Sequence, residues 1–294
     1  MIKSNRLEIL SILIMSLLLL FVGFLQSWSL SFSILNMCII SAIMSMGINM
    51  QWGYAGIFNV GIMGFTALGG LAAVLVSHAP ITEAWSAGGL GIMISFLILV
   101  LISLIVYWIN RKLKTNKKKY WIITLVIIIG LIIVKLIYHP SVLAIEAVNP
   151  TLTGFLGGMG LPIIFSWIVG GFFAAAVAFA IGKITLGLRS DYLAIATLGI
   201  SEIIISVLKS EEWLSRGVKN VVGLKRPVPY EIDLQQTEWF ISAVQYLNQS
   251  YLLNIIDKLK YEKVLNQLVI DSSIIFVKIC YAILFSIVLL IILY

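Results

Sequence analysis

From Ile9 to Thr82 the chain reads ILSILIMSLLLLFVGFLQSWSLSFSILNMCIISAIMSMGINMQWGYAGIFNVGIMGFTALGGLAAVLVSHAPIT, without one Asp, Glu, Lys or Arg. A membrane-spanning helix takes about 20 apolar residues at about 1.5 Å rise each. The stretch therefore has room for three spans, expected near Leu7–Gln26, Leu30–Met50 and Ile57–Ser77. The first is too long for a signal-peptide core and no small-residue cleavage site follows it, so it reads as an anchor. Further spans are expected near Gly88–Asn110, Tyr120–Tyr138, Pro162–Gly182, Tyr192–Leu208 and from Ser273 to Tyr294. The expected fold is all-α, a polytopic transmembrane helical bundle of about eight spans. Residues 1–294 read as a single transmembrane domain.

Composition agrees. Of 294 residues, 61% are hydrophobic and 11% charged, and the mean hydropathy is +1.06. A soluble domain carries about 25% charged residues, so a soluble enzyme and a disordered chain are both excluded. The net charge is +7, but Arg111, Lys112, Lys114, Lys117, Lys118 and Lys119 supply six of it and leave +1 elsewhere. Basic charge confined to one loop between apolar spans is a topology signal, not a nucleic-acid surface. Cys38 and Cys280 are too few for a disulfide framework, and with His78 and His139 they are too few for a structural zinc site.

Lys and Arg set the orientation. Lys3 and Arg6 hold the N-terminus in the cytoplasm; counting crossings then places the basic loop 111–119, and later Lys183 and Arg189, on the same side. The segment 209–272 falls outside, with Pro227 and Pro229 interrupting it. Within it, Tyr251–Leu268 has apolar residues at helical spacing and is expected as an amphipathic helix, on the membrane surface or packed on the protein. Asn248-Gln249-Ser250 matches a glycosylation sequon, a weak three-residue pattern. Lys135 and Lys278 lie just inside span ends and are expected to extend their amines to the interface.

Two clusters stand out. In Gln51–Gly70, the glycines at 53, 56, 61, 64, 69 and 70 are dense for a helix, and each costs about 1 kcal/mol relative to Ala. One reading is a tight helix crossing. The other is a broken or re-entrant segment beside a translocation path, where the amides of Asn49, Gln51 and Asn59 need partners at membrane depth. On that reading Gln51, Gly53, Gly56, Asn59 and Gly61 line the path. In the second cluster, Arg189, Ser190 and Asp191 mark the cytoplasmic end of the seventh span, with Ser190 or Asp191 capping it. Glu202 stands eleven residues later, about 16 Å along the axis. An intramembrane acid is either a carboxylate satisfied by a neighbouring helix or a functional group. No phosphate-binding loop, zinc motif or histidine-activated nucleophile is present, so any ATP hydrolysis belongs to another chain.

At these clusters the chain resembles a known family. Asn49-Met-Gln-Trp-Gly-Tyr-Ala-Gly-Ile-Phe-Asn-Val-Gly61 is similar to the early glycine-rich motif of branched-chain amino acid ABC transporter permeases, of the LivM-like inner-membrane type. Leu188-Arg-Ser-Asp-Tyr-Leu-Ala-Ile-Ala-Thr-Leu-Gly-Ile-Ser-Glu202 resembles that family's second motif, and Glu212-Trp-Leu and Gly223-Leu-Lys-Arg-Pro227 are similar to the family's next residues along the chain. The chain departs from the pattern at 215–222, in the added pair of spans over 88–138, and at Ile291-Ile-Leu-Tyr294, where relatives continue into an ATPase-docking loop. It is therefore expected to be C-terminally truncated. The resemblance implies a non-catalytic permease subunit in the inner (plasma) membrane of a prokaryote, without a cofactor or metal of its own. It implies a second permease subunit, two ATP-binding cassette subunits carrying the ATP, and an extracytoplasmic solute-binding protein. The solute would be a branched-chain amino acid or a related small polar molecule. The rival functions are a self-sufficient secondary carrier, with Glu202 as its coupling acid, and a non-transporting membrane scaffold.

Overall fold

The computed structural model describes residues 2–112, 117–185, 187–253, 255 and 257–294, with backbone alone at 2–8 and 117. Residues 113–116 of the basic loop, Lys114 among them, lie outside the described residues. The long helices are α1 (Ile2–Leu25), α2 (Trp28–Asn49), α3 (Ile62–Ser77), α4 (Leu90–Lys112), α5 (Lys117–Glu146), α6 (Ile163–Thr185), α7 (Ser190–Ser210) and α8 (Lys258–Leu293). Among the described residues no strand occurs. Among the described residues, six helical stretches are long and apolar enough to cross a membrane, and two shorter apolar ones cover Ile9–Leu25 and Ile62–Ser77. Leu104, Ile129, Phe172 and Ile195 stand exposed on helix surfaces. Water does not tolerate apolar helix faces of that extent; lipid or partner helices do.

Contacts divide the chain into two compact units, residues 1–57 with 226–294, and residues 58–225. In the first unit, α2 packs on α1 and α8. Residues 226–252 fold onto the start of α8 through Val228, Leu234, Phe240 and Val244, which meet Val269 and Val277. In the second unit, α3 packs on α6 and α7, and α4 forms an antiparallel hairpin with α5. Glycines let these pairs approach: a Cβ on Gly170 would sit 3.1 Å from the Ala72 Cβ, and one on Gly88 would sit 2.8 Å from Ile145. Lys119 is buried at the base of the hairpin and donates to the Asn110 carbonyl at 2.8 Å, closing one of the last carbonyls of α4.

Two expected boundaries move. The sequence ends the fifth span at Tyr138, before His139-Pro140; α5 instead runs through Pro140 to Glu146. Its final turns are held by tertiary burial, because Ile145 is fully enclosed in a core with Ala84, Ile92, Leu156 and Trp213. The amphipathic stretch Tyr251–Leu268 is not a separate helix. A short turn ends at Leu252, the Asp257 carboxylate caps Leu259 N–H at 3.1 Å, and the helix from Lys258 continues to Leu293.

Lys278 also differs from its expected role. Its ammonium donates to the Ser29 carbonyl at 2.9 Å and to Ser29 Oγ at 2.6 Å, while its own carbonyl accepts from Asn36 Nδ2 at 3.1 Å. The amine ties α8 to α2 rather than reaching free interface.

Candidate functional site

The chain leaves helical geometry between Tyr54 and Ile62. After α2, Met50–Tyr54 forms a single widened π turn, with Ala55 N–H donating to the Met50 carbonyl at 3.1 Å. The Gln51 carbonyl accepts from Ile57 N–H at 2.8 Å, which turns the chain out of the helix. Gln51 is half-buried, and Gly53 lies against the Asn49 side-chain amide, which would have to shift to admit a larger residue. Gly56 has φ +65°, the left-handed region that costs an L-residue about 1–2 kcal/mol. A Cβ at Gly56 would meet nothing within 4 Å, so backbone conformation and not a close neighbour calls for glycine. These three residues belong to the first unit.

The other side of the break belongs to the second unit. Asn59 Oδ1 accepts from Gly61 N–H at 2.8 Å, a local turn that launches α3. The first N–H groups of a helix have no partner within it, and no side chain of α3 supplies one at Gly61. The partners come from α7. Thr197 Oγ1 accepts from Val60 N–H at 3.2 Å, and Ser201 Oγ accepts from Gly64 N–H at 2.8 Å. Thr197 and Ser201 are four residues apart, so they share one face of α7, and both are buried. The approach is close enough to require glycine. A Cβ on Gly64 would lie 2.9 Å from the Ser201 Cα, and one on Gly61 would strike the Thr197 carbonyl. The pairing of 61 with 197 and 64 with 201 makes α3 and α7 parallel.

Thr197 and Ser201 were not among the residues singled out from sequence. Their signal was a pair of hydroxyls at helical spacing inside the second motif, which looks like any polar interruption of an apolar helix. Glu202, adjacent to Ser201, is turned away from this contact and is exposed on α7. Neither ion pair among the described residues includes it.

At the other end of α7 the expected side-chain cap is absent. Arg189 occupies the capping position with extended backbone (φ −65°, ψ 152°), and no side chain there bonds a backbone N–H. Ser190 is already helical, and Asp191 sits in the first turn, where its charge complements the helix dipole.

Beyond the C-terminal end of α3, a glycine-rich loop closes the helix. Met159, Gly160 and Leu161 N–H donate to the Leu75, His78 and Val76 carbonyls at 3.0, 2.8 and 2.9 Å. A polar cluster lies next to it in the same unit. The Glu211 carboxylate accepts from Tyr138 OH at 2.5 Å and from Trp213 Nε1 at 2.6 Å. Buried Arg216 donates to the Thr151 and Asn220 carbonyls at 2.5 and 2.7 Å, and so links the loops.

This architecture is that of a multi-pass, all-helical membrane protein. Residues 30–157 match the family model described as branched-chain amino acid transport system / permease component, and the family resemblance of the first motif is borne out. The matched range includes 88–138, the spans that the resemblance read as added, and ends before the second motif. A similar curated protein is the high-affinity branched-chain amino acid transport system permease protein LivM of Escherichia coli (strain K12), 33% identical over 69 residues. That alignment covers 24% of this chain and 16% of the relative, so it spans only a small part of that protein's length. No solved structure matches significantly.

Proposed function

We propose that the chain is a membrane-spanning permease subunit of an ABC importer for branched-chain amino acids or related small polar solutes. The observation that carries this reading is the glycine-broken segment 54–62, inside the stretch matched to the permease family and followed by α3 docked on α7. Irregular backbone at membrane depth is tolerated where it is enclosed by protein or lines a cavity. Gln51, Gly53, Gly56, Asn59 and Gly61 are the proposed path lining, with Glu202 beside a partner or the path rather than lipid.

The subunit crosses the inner membrane of a prokaryote about eight times, with its N-terminus in the cytoplasm. Three observations support that topology. The basic sites alternate with the spans as cytoplasmic loops require; α3 and α7, both outward-running in this count, pack parallel; and α4 and α5 pack as an antiparallel hairpin. The subunit hydrolyses nothing itself. Two ATP-binding cassette subunits hold ATP, a second permease subunit completes the path, and an extracytoplasmic binding protein delivers the solute.

Affinity purification of the tagged chain from its native membranes tests the assembly. An ATP-hydrolysing partner in stoichiometric yield is expected. A chain that purifies without any ATPase, while transporting on a proton gradient, would overturn the importer in favour of a carrier.

A further inference from the structure

The loop end of the α4–α5 hairpin gathers positive charge that no acid of the hairpin balances. Arg111, Lys112 and Lys118 are exposed there, and neither ion pair among the described residues includes them. No Asp or Glu occurs between Glu83 and Glu146, and both of these acids stand at the opposite end of the hairpin. The 23 residues of α4 put that end about 35 Å away, several times the roughly 8 Å beyond which salt screens exposed charges. Lys119 is engaged by the Asn110 carbonyl and takes no part in the exposed patch.

Beside the charges stands a collar of exposed aromatic rings, Tyr107 and Trp108 on α4 with Tyr120 and Trp121 on α5. Farther along the hairpin, Leu101, Leu104, Leu125 and Ile128 are exposed and aliphatic. Aliphatic faces that give way to Trp and Tyr, and then to Lys and Arg, follow the layers of a bilayer from hydrocarbon through interface to headgroup. Lys112 lies back over the Trp108 ring, 4.4 Å from its centroid, so its ammonium is held at the level of the indole. Among the described residues, the hairpin packs on the rest of its unit at the other end, on 82–89 and around Leu156 and Trp213.

We propose that this loop end binds an anionic phospholipid, its phosphate on Arg111, Lys112 and Lys118 and its acyl chains along the aromatic collar and the aliphatic faces behind it. Basic side chains next to a spanning helix attract anionic lipid roughly additively, and a guanidinium grips phosphate through paired hydrogen bonds. The collar favours lipid over a soluble polyanion, because Trp and Tyr at an interface keep one side apolar and the other wet. Binding does not depend on the importer assignment; only the leaflet, cytoplasmic, rests on the topology proposed above.

The test uses the full chain in a nonionic detergent, given equal amounts of phosphatidylglycerol and phosphatidylcholine with the same acyl chains. Native mass spectrometry counts the lipid retained. Phosphatidylglycerol is expected in about tenfold excess. The variant Arg111→Gln/Lys112→Gln/Lys118→Gln should bring the excess close to none. The control Lys258→Gln/Lys260→Gln/Lys263→Gln removes equal exposed charge from α8 and should leave the excess unchanged. Equal retention of the two lipids by the wild type would overturn the proposal. So would an undiminished excess in the hairpin variant, or an equal loss in the control. If the hairpin variant misfolds, Lys112→Gln decides alone, with about a twofold loss expected and no loss overturning the proposal. Displacement of the lipid by inorganic phosphate would assign the cations to a free anion and also overturn it. The absence of an ATPase partner would defeat the importer and leave these outcomes unchanged.

Discussion

Ser201→Ala isolates the contact that holds the broken segment. In the wild type, Ser201 Oγ accepts the Gly64 N–H at 2.8 Å in a buried setting. Gly64 is the third residue of α3, so that N–H has no partner within its own helix. Alanine leaves the donor buried and unsatisfied, at a cost of about 1–3 kcal/mol. That corresponds to roughly a 5- to 150-fold change in the unfolding equilibrium. Gly64→Ala attacks the same contact differently. Its Cβ would stand 2.9 Å from the Ser201 Cα, a backbone atom that no rotamer change can move. The clash, about 1–3 kcal/mol for overpacking, opposes the roughly 1 kcal/mol that Ala gains over Gly in a helix, and a net loss is expected. The same Cβ would also stand 2.9 Å from the Ser201 Oγ, so adding Ser201→Ala to Gly64→Ala removes that contact but not the one with Cα, and should give at most partial rescue. Gly199→Ala on the same helix is the control, since its Cβ meets nothing within 4 Å. The assay is unfolding of the purified chain in detergent by titration with dodecyl sulfate, monitored by tryptophan fluorescence. Wild-type stability in both Ser201→Ala and Gly64→Ala would refute the reasoning, as would full recovery to the wild-type value in the double variant.

The same geometry sets other outcomes. Gly56→Leu should lose about 1–2 kcal/mol through its φ of +65°, while Gly56→Asn, which tolerates that region, should lose less; equal losses in the unfolding titration would point to a steric cause. Lys278→Met removes both bonds to Ser29 and should lower the thermal transition of the detergent-purified chain, whereas an unchanged transition would return the lysine to a solvated role. Glu211→Gln weakens the acceptor shared by Tyr138 and Trp213, at about 1–3 kcal/mol in the same titration, and the Trp213 emission should shift to longer wavelength. If Glu202 lines the path, Glu202→Gln should reduce uptake without changing stability; full uptake would make it a packing residue.

The spans were legible because their signal is simple. Helices that face lipid must be apolar over about 20 residues, and charge is confined to their ends. The break after α2 was legible for a related reason, since six glycines in twenty residues are expensive in an ordinary helix. The task of each glycine was not legible. Gly64 serves a close approach by α7 and Gly56 a left-handed turn, and only the fold separates these demands. The hydroxyls of Thr197 and Ser201 escaped notice because their partners are backbone N–H groups, which leave no mark in a sequence. Pro140 misled in the opposite direction. A proline commonly ends a helix, yet here burial of Ile145 carries α5 past it.

On the proposed function, this chain conducts a solute for an ATP-driven importer. The most direct test is uptake of radiolabelled leucine, isoleucine and valine into proteoliposomes holding the assembly purified on this chain. Uptake is expected to require ATP hydrolysis and the binding protein, to survive a proton ionophore, and to fall with Gly64→Ala. Uptake that proceeds without ATP and collapses with the ionophore would contradict it.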